Sequence, residues 1–216
     1  EMVSGEGFAA VQVHGRLAGY PDVRVATRYE IRPCEPGIRM RTEIVNRGTE
    51  PRVWPLADAW YWSGREPLPF APGRGRGFDQ PGLVSPISDS WQPFPFMAAA
   101  AHAAPAPTYV EVACNQESLY GFHAEQISAA GMPIRIVQPR DYEIFERFVG
   151  VLPGRSIGPA SDLAFQLRDK LFHAPTTEIS GTVVTENGAP VGEEVRATVV
   201  ISEGTIDTPV EERRSS

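Results

Sequence analysis

Lysine is almost absent from this sequence: Lys170 is the single lysine among 20 basic residues, and the formal net charge is −7. Nucleic-acid binding relies on a basic face that neutralises phosphates, so this balance argues against a nucleic-acid partner. No apolar run approaches the roughly 20 residues that a membrane-spanning helix needs. These shortages remove nucleic-acid binding and a membrane-spanning helix from the expected properties of the chain.

Histidine is also scarce, and the histidines are scattered. None of the four forms an HxH or HxxxH spacing, and the two cysteines form no CxxC pair. Transition-metal sites use such spacings because they bring several ligands to one point. We therefore predict no cofactor and no metal site, with structural or surface roles for His14, His102, His123 and His173.

The first residue is Glu1 rather than Met, and strand-like sequence follows directly. We therefore expect a piece of a longer protein whose signal segment is not in this chain. We interpret the preference for arginine over lysine as an effect of a GC-rich genome and not as a functional signal. Separately, we expect a secreted, periplasmic or cell-surface bacterial protein. Cys34 and Cys114 could form a disulfide in an export compartment or remain buried free thiols.

Glycine and proline are abundant, with 20 and 21 residues, which favours many short elements joined by turns. Apolar and polar residues alternate over 23–32 ("VRVATRYEIR") and over 38–46 ("IRMRTEIVN"). This alternation predicts two antiparallel strands whose arginines and glutamates face water. Residues 9–17 predict a third strand. The expected fold class is therefore all-β, an antiparallel β-sandwich.

A single helix is predicted near residues 162–172. Ser161 is a candidate N-cap, and Leu163, Leu167 and Leu171 fall on one helical face. Pro175 ends the helix, and "ENGAPVG" between two β-rich runs predicts a new hairpin. The predicted organisation is a sandwich domain over 1–173, a truncated β module over 174–210 and a disordered tail over 211–216.

The stretch "FAPGRGRGFD", residues 70–79, places glycines at alternate positions with arginines between them. A phosphate cradle needs a helix N-terminus after the glycines, because backbone N–H groups and the helix dipole bind the anion. The following "DQPGLVSP" cannot open a helix, so we interpret the stretch as a surface turn. It could still form a small anion nest, but it is not a nucleotide site.

The segment "VWPLADAWYW" carries the candidate site residues. If it forms one strand, Trp54, Asp58, Trp60 and Trp62 share a face and Tyr61 faces the other way. Asp58 is then either desolvated among aromatic rings or hydrogen-bonded to a neighbouring turn. A buried set of rings fits a scaffold, whereas an open set fits stacking on sugars.

Alternation in "DYEIFERFVG" places Glu143, Phe145 and Arg147 on one strand face. A weak surface ion pair between Glu143 and Arg147 explains these two charges. No serine nucleophile elbow is present, and we assign no catalytic residue.

Several motifs together resemble the region that precedes the catalytic domain in carbaryl-hydrolase-like metallohydrolases of the PHP superfamily. They are "VATRYEIRPCEPGIRMRTEIVNRG", "LADAWYWSGREPLPFAPGRG", "SLYGF" and "FERFVGVLPG". "ISGTVVTENGAPVGEEV" is similar to the opening of a carboxypeptidase regulatory-like, transthyretin-type module. The resemblance implies a galactose-mutarotase-like supersandwich followed by that module. The family's histidine-rich metal domain is not in this sequence, so its hydrolase activity does not carry over.

The function expected from the sequence is that of a non-catalytic accessory or scaffolding region of a larger protein. Such a region docks a ligand or a neighbouring catalytic domain. One alternative is a carbohydrate-binding module; another is a mutarotase- or lyase-like enzyme with Asp58 and His123 as acid and base. The candidate ligand-binding residues are Trp54, Asp58, Trp60, Trp62, Trp91 and His123.

Overall fold

The computed structural model describes residues 2–5, 7–62, 68–72, 75–77, 80–81, 92–100, 106–124, 126–173, 182 and 184–190. Sixteen strands and one helix lie in these ranges. The strands are β1 Met2–Gly5, β2 Phe8–Leu17, β3 Tyr20–Ile31, β4 Gly37–Asn46, β5 Arg52–Trp54, β6 Ala57–Tyr61, β7 Leu68–Phe70, β8 Gly75–Gly77, β9 Gln80–Pro81, β10 Gln92–Phe94, β11 Phe96–Ala100, β12 Thr108–Ala113, β13 Leu119–Ala124, β14 Ile127–Gly131, β15 Arg135–Val137 and β16 Tyr142–Leu152. The helix, α1, is Ile157–Phe172.

Two antiparallel sheets form the body of the fold. The large sheet has eight strands in the order β1-β2-β3-β4-β16-β12-β11-β7, and the small sheet has four in the order β10-β13-β14-β6. Two further pairs, β15-β5 and β8-β9, are two-stranded. The predicted antiparallel β-sandwich with one helix is confirmed, as are the strands expected over 9–17, 23–32 and 38–46.

The main hydrophobic core lies between the two sheets, and both contribute to it. Its buried members include Val23, Ile44, Met97, Ala113 and Phe145 from the large sheet and Phe94, Leu119 and Ala130 from the small sheet. We call the side of the large sheet that faces this core the inner face and the opposite side the outer face. Successive residues of a strand alternate between these faces.

The helix covers one end of the outer face. A second core joins its Ile157, Ala160 and Ala164 to Phe96 and Val110 of the large sheet. The small alanines let the helix approach closely, and Gly150 in β16 helps, because a Cβ there would lie 2.8 Å from Leu163. Burial of these apolar groups, at about 25 cal/mol per Å², holds the helix on the sheet.

The start of the helix differs from the prediction. It begins at Ile157 with Ser156 at the N-cap position, where no side-chain hydrogen bond caps it. Ser161 lies one turn inside the helix, so it is not the cap. The leucine face is only partly right: Leu163 and Leu167 pack on the core, while Leu171 is exposed.

Charged side chains, several of them paired, occupy the outer face of the remaining strands. Glu30 accepts hydrogen bonds from Arg28 and Arg32, and Glu146 accepts one from Arg41 across two strands. The alternation therefore places arginine and glutamate toward water, as the sequence predicts.

Near the chain's C-terminal part, residues 184–190 contain a tight turn. The Thr185 amide donates to the Ala189 carbonyl at 2.8 Å, and Val184 pairs with Pro190 as an isolated bridge. This local hairpin matches the turn predicted at "ENGAPVG". The rest of the predicted module over 174–210 lies outside the described residues, so its boundary stays a prediction.

Candidate functional site

The aromatic segment does not form one strand. Trp54 ends β5, which pairs with β15, whereas Asp58 and Trp60 belong to β6 in the small sheet. Pro55 separates the two strands, because proline cannot donate a ladder hydrogen bond. The predicted parity holds within β6: Asp58 and Trp60 face the large sheet, and Tyr61 is exposed on the other side.

Asp58 faces the guanidinium group of Arg147 across the sandwich. Nε and Nη2 of Arg147 donate to Oδ2 and Oδ1 of Asp58 at 2.6 and 2.7 Å, a bidentate pair. Arg147 is only 5% exposed at its side chain, and it also donates to Thr42 Oγ1 at 2.7 Å. Asp58 therefore matches neither expected environment: it is not an unpaired carboxylate among aromatic rings, and it is not hydrogen-bonded to a neighbouring turn.

Arg147 itself corrects a second prediction. Its side chain lies between the sheets and takes Asp58 as its partner, so it does not form a surface pair with Glu143. A buried charge needs a partner of opposite sign and further hydrogen bonds, and Arg147 has both. This pair ties the large sheet to the small sheet.

Glu111 is the second carboxyl group of the site, and it is completely buried. Trp60 Nε1 donates to its Oε2 at 3.0 Å, while its Oε1 has no hydrogen-bond partner within the described part of the chain. Burial raises the pKa of Glu111 well above its ordinary value, and the nearby Asp58 carboxylate raises it further. Arg147 and the Trp60 hydrogen bond act in the opposite direction but do not offset burial. We call Thr42, Asp58, Trp60, Glu111 and Arg147 the polar cluster.

A second set of hydrogen bonds lies beside the polar cluster. The Ser128 hydroxyl accepts a hydrogen bond from Trp62 Nε1 at 2.9 Å and is 2.9 Å from His123 Nδ1. Trp60, Ser128 and His123 lie opposite one another across β6, β14 and β13. Asp58 lies opposite Ala130, one inward-facing position away along β14, so the fold does not place it directly beside His123.

A cleft of about 510 Å³ opens between the sheets at the polar cluster. Its walls include Tyr20, Thr42, Trp54, Asp58 and Arg147. The Tyr20 and Trp54 rings meet edge to face with centroids 4.8 Å apart. Nε1 of Trp54 is buried without a hydrogen-bond partner among the described residues.

From the cleft onward the inner face of the large sheet is open, and Tyr29 belongs both to the cleft wall and to this open face. Six apolar side chains there are between 37% and 53% exposed, although they share a face with Arg147. They come from neighbouring strands β2, β3, β4 and β16, and contiguous exposed apolar surface of this kind often marks an interaction site. We call this set the apolar patch: Val11, Val13, Tyr29, Ile31, Ile38 and Val151.

The structure brings together three of the predicted site residues around Ser128 and Glu111: Trp60, Trp62 and His123. Asp58 lies close by, and Trp54 lines the cleft. Trp91 lies outside the described residues. The sequence analysis missed Glu111 and the inward role of Arg147, and the signal for both was a lone charge at a core-facing strand position.

Both cysteines are free thiols, Cys34 exposed and Cys114 half-buried. Burial raises the pKa of the Cys114 thiol to about 11. Among the residues that the structure covers, no group of three or more His, Cys, Asp or Glu side chains is placed to hold a metal ion. No helix within the described ranges is long and apolar enough to cross a membrane.

Comparison with known proteins finds a similar fold within larger enzymes. A variant of the GH36 α-galactosidase AgaA from Geobacillus stearothermophilus matches 78% of this chain with a TM-score of 0.51 and 15% identity. The α-galactosidase from Lactobacillus brevis matches 76% with a TM-score of 0.50 and 13% identity. The matched parts are 27% and 25% of those enzyme chains, so this chain spans about a quarter of their length.

These likenesses show a shared fold. No protein-family model matches the sequence. No curated protein matches it either.

Proposed function

We propose that this β-sandwich is a non-catalytic accessory domain that docks another domain of a larger protein through the apolar patch. The observation that carries the proposal is the patch itself, six exposed apolar side chains on one continuous sheet face. Burying such a face against a partner removes apolar surface from water, which is the main favourable term in association.

The chemistry of the polar cluster supports an accessory role. Glycoside hydrolysis needs two carboxyl groups that reach a bound sugar from opposite sides of its ring. Here Asp58 is held by Arg147, and Glu111 has no exposed surface. Their common effect is to join the two sheets, which is a structural task.

The comparisons support the same proposal. In the two α-galactosidases the matched region is accompanied by about three quarters of the enzyme chain. By analogy, we place this domain beside a larger catalytic unit acting on carbohydrate. Parentage in the carbaryl-hydrolase-like metallohydrolases, and export from the cell, remain proposals that rest on the sequence motifs alone.

Side-chain footprinting tests the docking surface. A carbene label is applied to this chain alone and to the longest natural polypeptide that contains it. We expect labelling of Val13 and Ile31 to fall in the longer polypeptide, because the partner domain covers them. Ile127, which is exposed on the outward side of the small sheet, is the matched apolar control and keeps its label. Unchanged labelling of Val13 and Ile31, or an equal fall at Ile127, would contradict the proposal.

A carbohydrate-binding role is the second candidate, and the cleft favours it. Its wall contains the aromatic rings of Tyr20 and Trp54, and sugar rings stack on surfaces of this kind. Replacing Trp54 with Ala separates the candidates. Loss of binding to a glycan panel, with a nearly unchanged Tm, supports the sugar site. Absence of saturable glycan binding by the unmodified protein rejects it.

A further inference from the structure

A second cavity, of about 480 Å³, lies on the outer face of β2, β3 and β4, away from the polar cluster and the apolar patch. Three arginines and one histidine line it, against a single glutamate. This concentration of positive charge stands out in a chain whose net charge is −7. We call this site the arginine pocket, and the residues used below are His14, Arg16, Arg24, Ala26, Glu43 and Arg47.

Strand register builds the pocket. Arg16 of β2 lies directly opposite Arg24 of β3. In the neighbouring row Ala26 lies between His14 on one side and Glu43 on the other. Because Ala26 has only a methyl group while its neighbours are long, the surface is recessed there, and the recess is walled by the arginines.

The arginines of this pocket differ from the others on the outer face. Arg28, Arg39 and Arg41 each pair with a glutamate. Within the described residues, the guanidinium groups of Arg16 and Arg24 make no hydrogen bond or ion pair. The same holds for the guanidinium of Arg47. Glu43 does not neutralise them by direct contact, since its Oε2 accepts from Arg41 at 3.2 Å.

Like charges directly opposite one another destabilise an antiparallel pair of strands. An anion bound between Arg16 and Arg24 would convert that repulsion into attraction. Guanidinium groups match doubly charged oxyanions well, because their planar forks donate parallel hydrogen bonds to two oxygens. We propose that the arginine pocket binds a phosphate or sulfate group, either as the free ion or as a monoester on a small molecule.

The test is a titration of this protein at constant ionic strength, with chloride as the reference anion. Inorganic phosphate, inorganic sulfate and methyl phosphate are added separately, and the arginine Nε–Hε signals are followed by NMR. Saturable shifts at Arg16 and Arg24 are expected. Tighter binding of inorganic phosphate than of methyl phosphate identifies the free ion as the ligand, and the reverse order identifies a monoester.

Two variants with the same charge change make the test specific. R24Q removes a guanidinium from the pocket, while R28Q removes one from the same face of the same strand that already has Glu30 as its partner. We expect R24Q to weaken phosphate binding by about tenfold or more, the usual effect of losing a hydrogen bond to a charged group. R28Q should weaken phosphate binding by less than about twofold, because Arg28 lies four residues from Arg24 along β3 and salt screens its charge over that distance.

The unliganded variants provide a second readout. At low salt R24Q should keep or raise the Tm, because it relieves repulsion from Arg16, whereas R28Q should lower it slightly by breaking the pair with Glu30. Equal weakening of phosphate binding by both variants would mean a diffuse charge effect and would overturn the proposal. Shifts that fail to saturate, or a Tm that falls equally in both variants, would overturn it as well.

Discussion

The inner face of the large sheet has two ends that solve the problem of burial in opposite ways. At the closed end the small sheet covers it, and the buried titratable groups Arg147 and Glu111 are hydrogen-bonded: Arg147 to Asp58 and Thr42, and Glu111 to Trp60. At the open end none of the described residues on this face along the apolar patch is charged, and the side chains remain partly in water. The closed end is therefore covered by this chain's own small sheet, whereas the open end is suited to a partner.

Both ends are built by the same strands. In β3 and β4, Val23 and Ile44 are fully buried at the closed end, while Ile31 and Ile38 at the other end are exposed. Residue type alone therefore does not distinguish the ends. What distinguishes them is the extent of the small sheet, which covers only part of the strands' length.

The largest expected effect comes from breaking the charge pair of the closed end. Arg147→Met should lower the free energy of unfolding by about 3–5 kcal/mol, because it leaves Asp58 without its partner inside the sandwich. Urea unfolding at neutral pH measures this. The double variant with Asp58→Asn should recover most of the loss, since no uncompensated charge then remains. Equal destabilisation by the single and double variants would show that Arg147 acts through packing alone.

The two faces of the large sheet also differ in how much of their structure can be predicted from the sequence. Alternation over 23–32 and 38–46 predicts the strands and their charged outer face correctly, because period-two burial is a local signal. The Asp58–Arg147 pair spans 89 positions, so no local pattern could reveal it. Alternation along the strand predicts correctly which face carries Arg147. It does not predict that a second sheet covers that face.

The aromatic segment shows the same limit. The sequence predicts correctly that Asp58 and Trp60 share a face, since both lie in one strand. It predicts wrongly that Trp54 belongs to that strand, because Pro55 starts a break and pairing then takes the two halves to different sheets. The partner of Trp60, Glu111, lies 51 positions away and is fixed only by sheet packing.

A smaller loss is expected from Trp60→Ala. The change removes ring contacts with Trp62 and Tyr109 and the hydrogen bond to Glu111. A large aromatic side chain emptied from a core costs about 3–5 kcal/mol, and we expect the lower end because Trp60 is half-buried. Thermal and urea unfolding measure the loss. A Tm that barely moves while glycan binding disappears would instead mean that the closed end is a sugar site.

The pH dependence of stability should carry the signature of Glu111. Its pKa in the folded protein is raised above the ordinary value of 4.5, so the folded state keeps a proton that the unfolded state releases. The stability linked to this proton is fully present below about pH 4.5 and declines as the pH rises toward the folded pKa. The slope is at most about 1.4 kcal/mol per pH unit for one proton.

Glu111→Gln removes this decline. The free energy of unfolding of the variant, relative to that of the unmodified protein, should therefore increase as the pH rises from 4.5. Glu35 is the matched control, because the pKa of its carboxyl group is shifted in the opposite direction. The hydrogen bond from Arg39 holds the pKa of Glu35 below its ordinary value, despite an opposing effect of burial. Stability from Glu35 is therefore present above pH 4.5 and is lost in acid. If Glu111→Gln and Glu35→Gln change the pH profile in the same direction, the assignment of a proton to Glu111 is wrong.

The smallest effect on stability is expected at the open end, in the double variant Val13→Ser and Ile31→Ser. Both side chains are 53% exposed, so the isolated chain loses little buried apolar area. Surface substitutions of this kind usually change stability by no more than about 0.5 kcal/mol each. The function of the patch should respond far more strongly, because docking depends on burying these side chains. We therefore expect a nearly unchanged Tm together with lower binding of a hydrophobic dye and weaker association with the partner domain.

Val23→Ser, at the closed end of the same strand as Ile31, is the control and should destabilise the fold by about 2 kcal/mol or more. Comparable losses of stability at both ends would mean that this chain already covers its apolar patch, and the docking surface would have to be sought elsewhere.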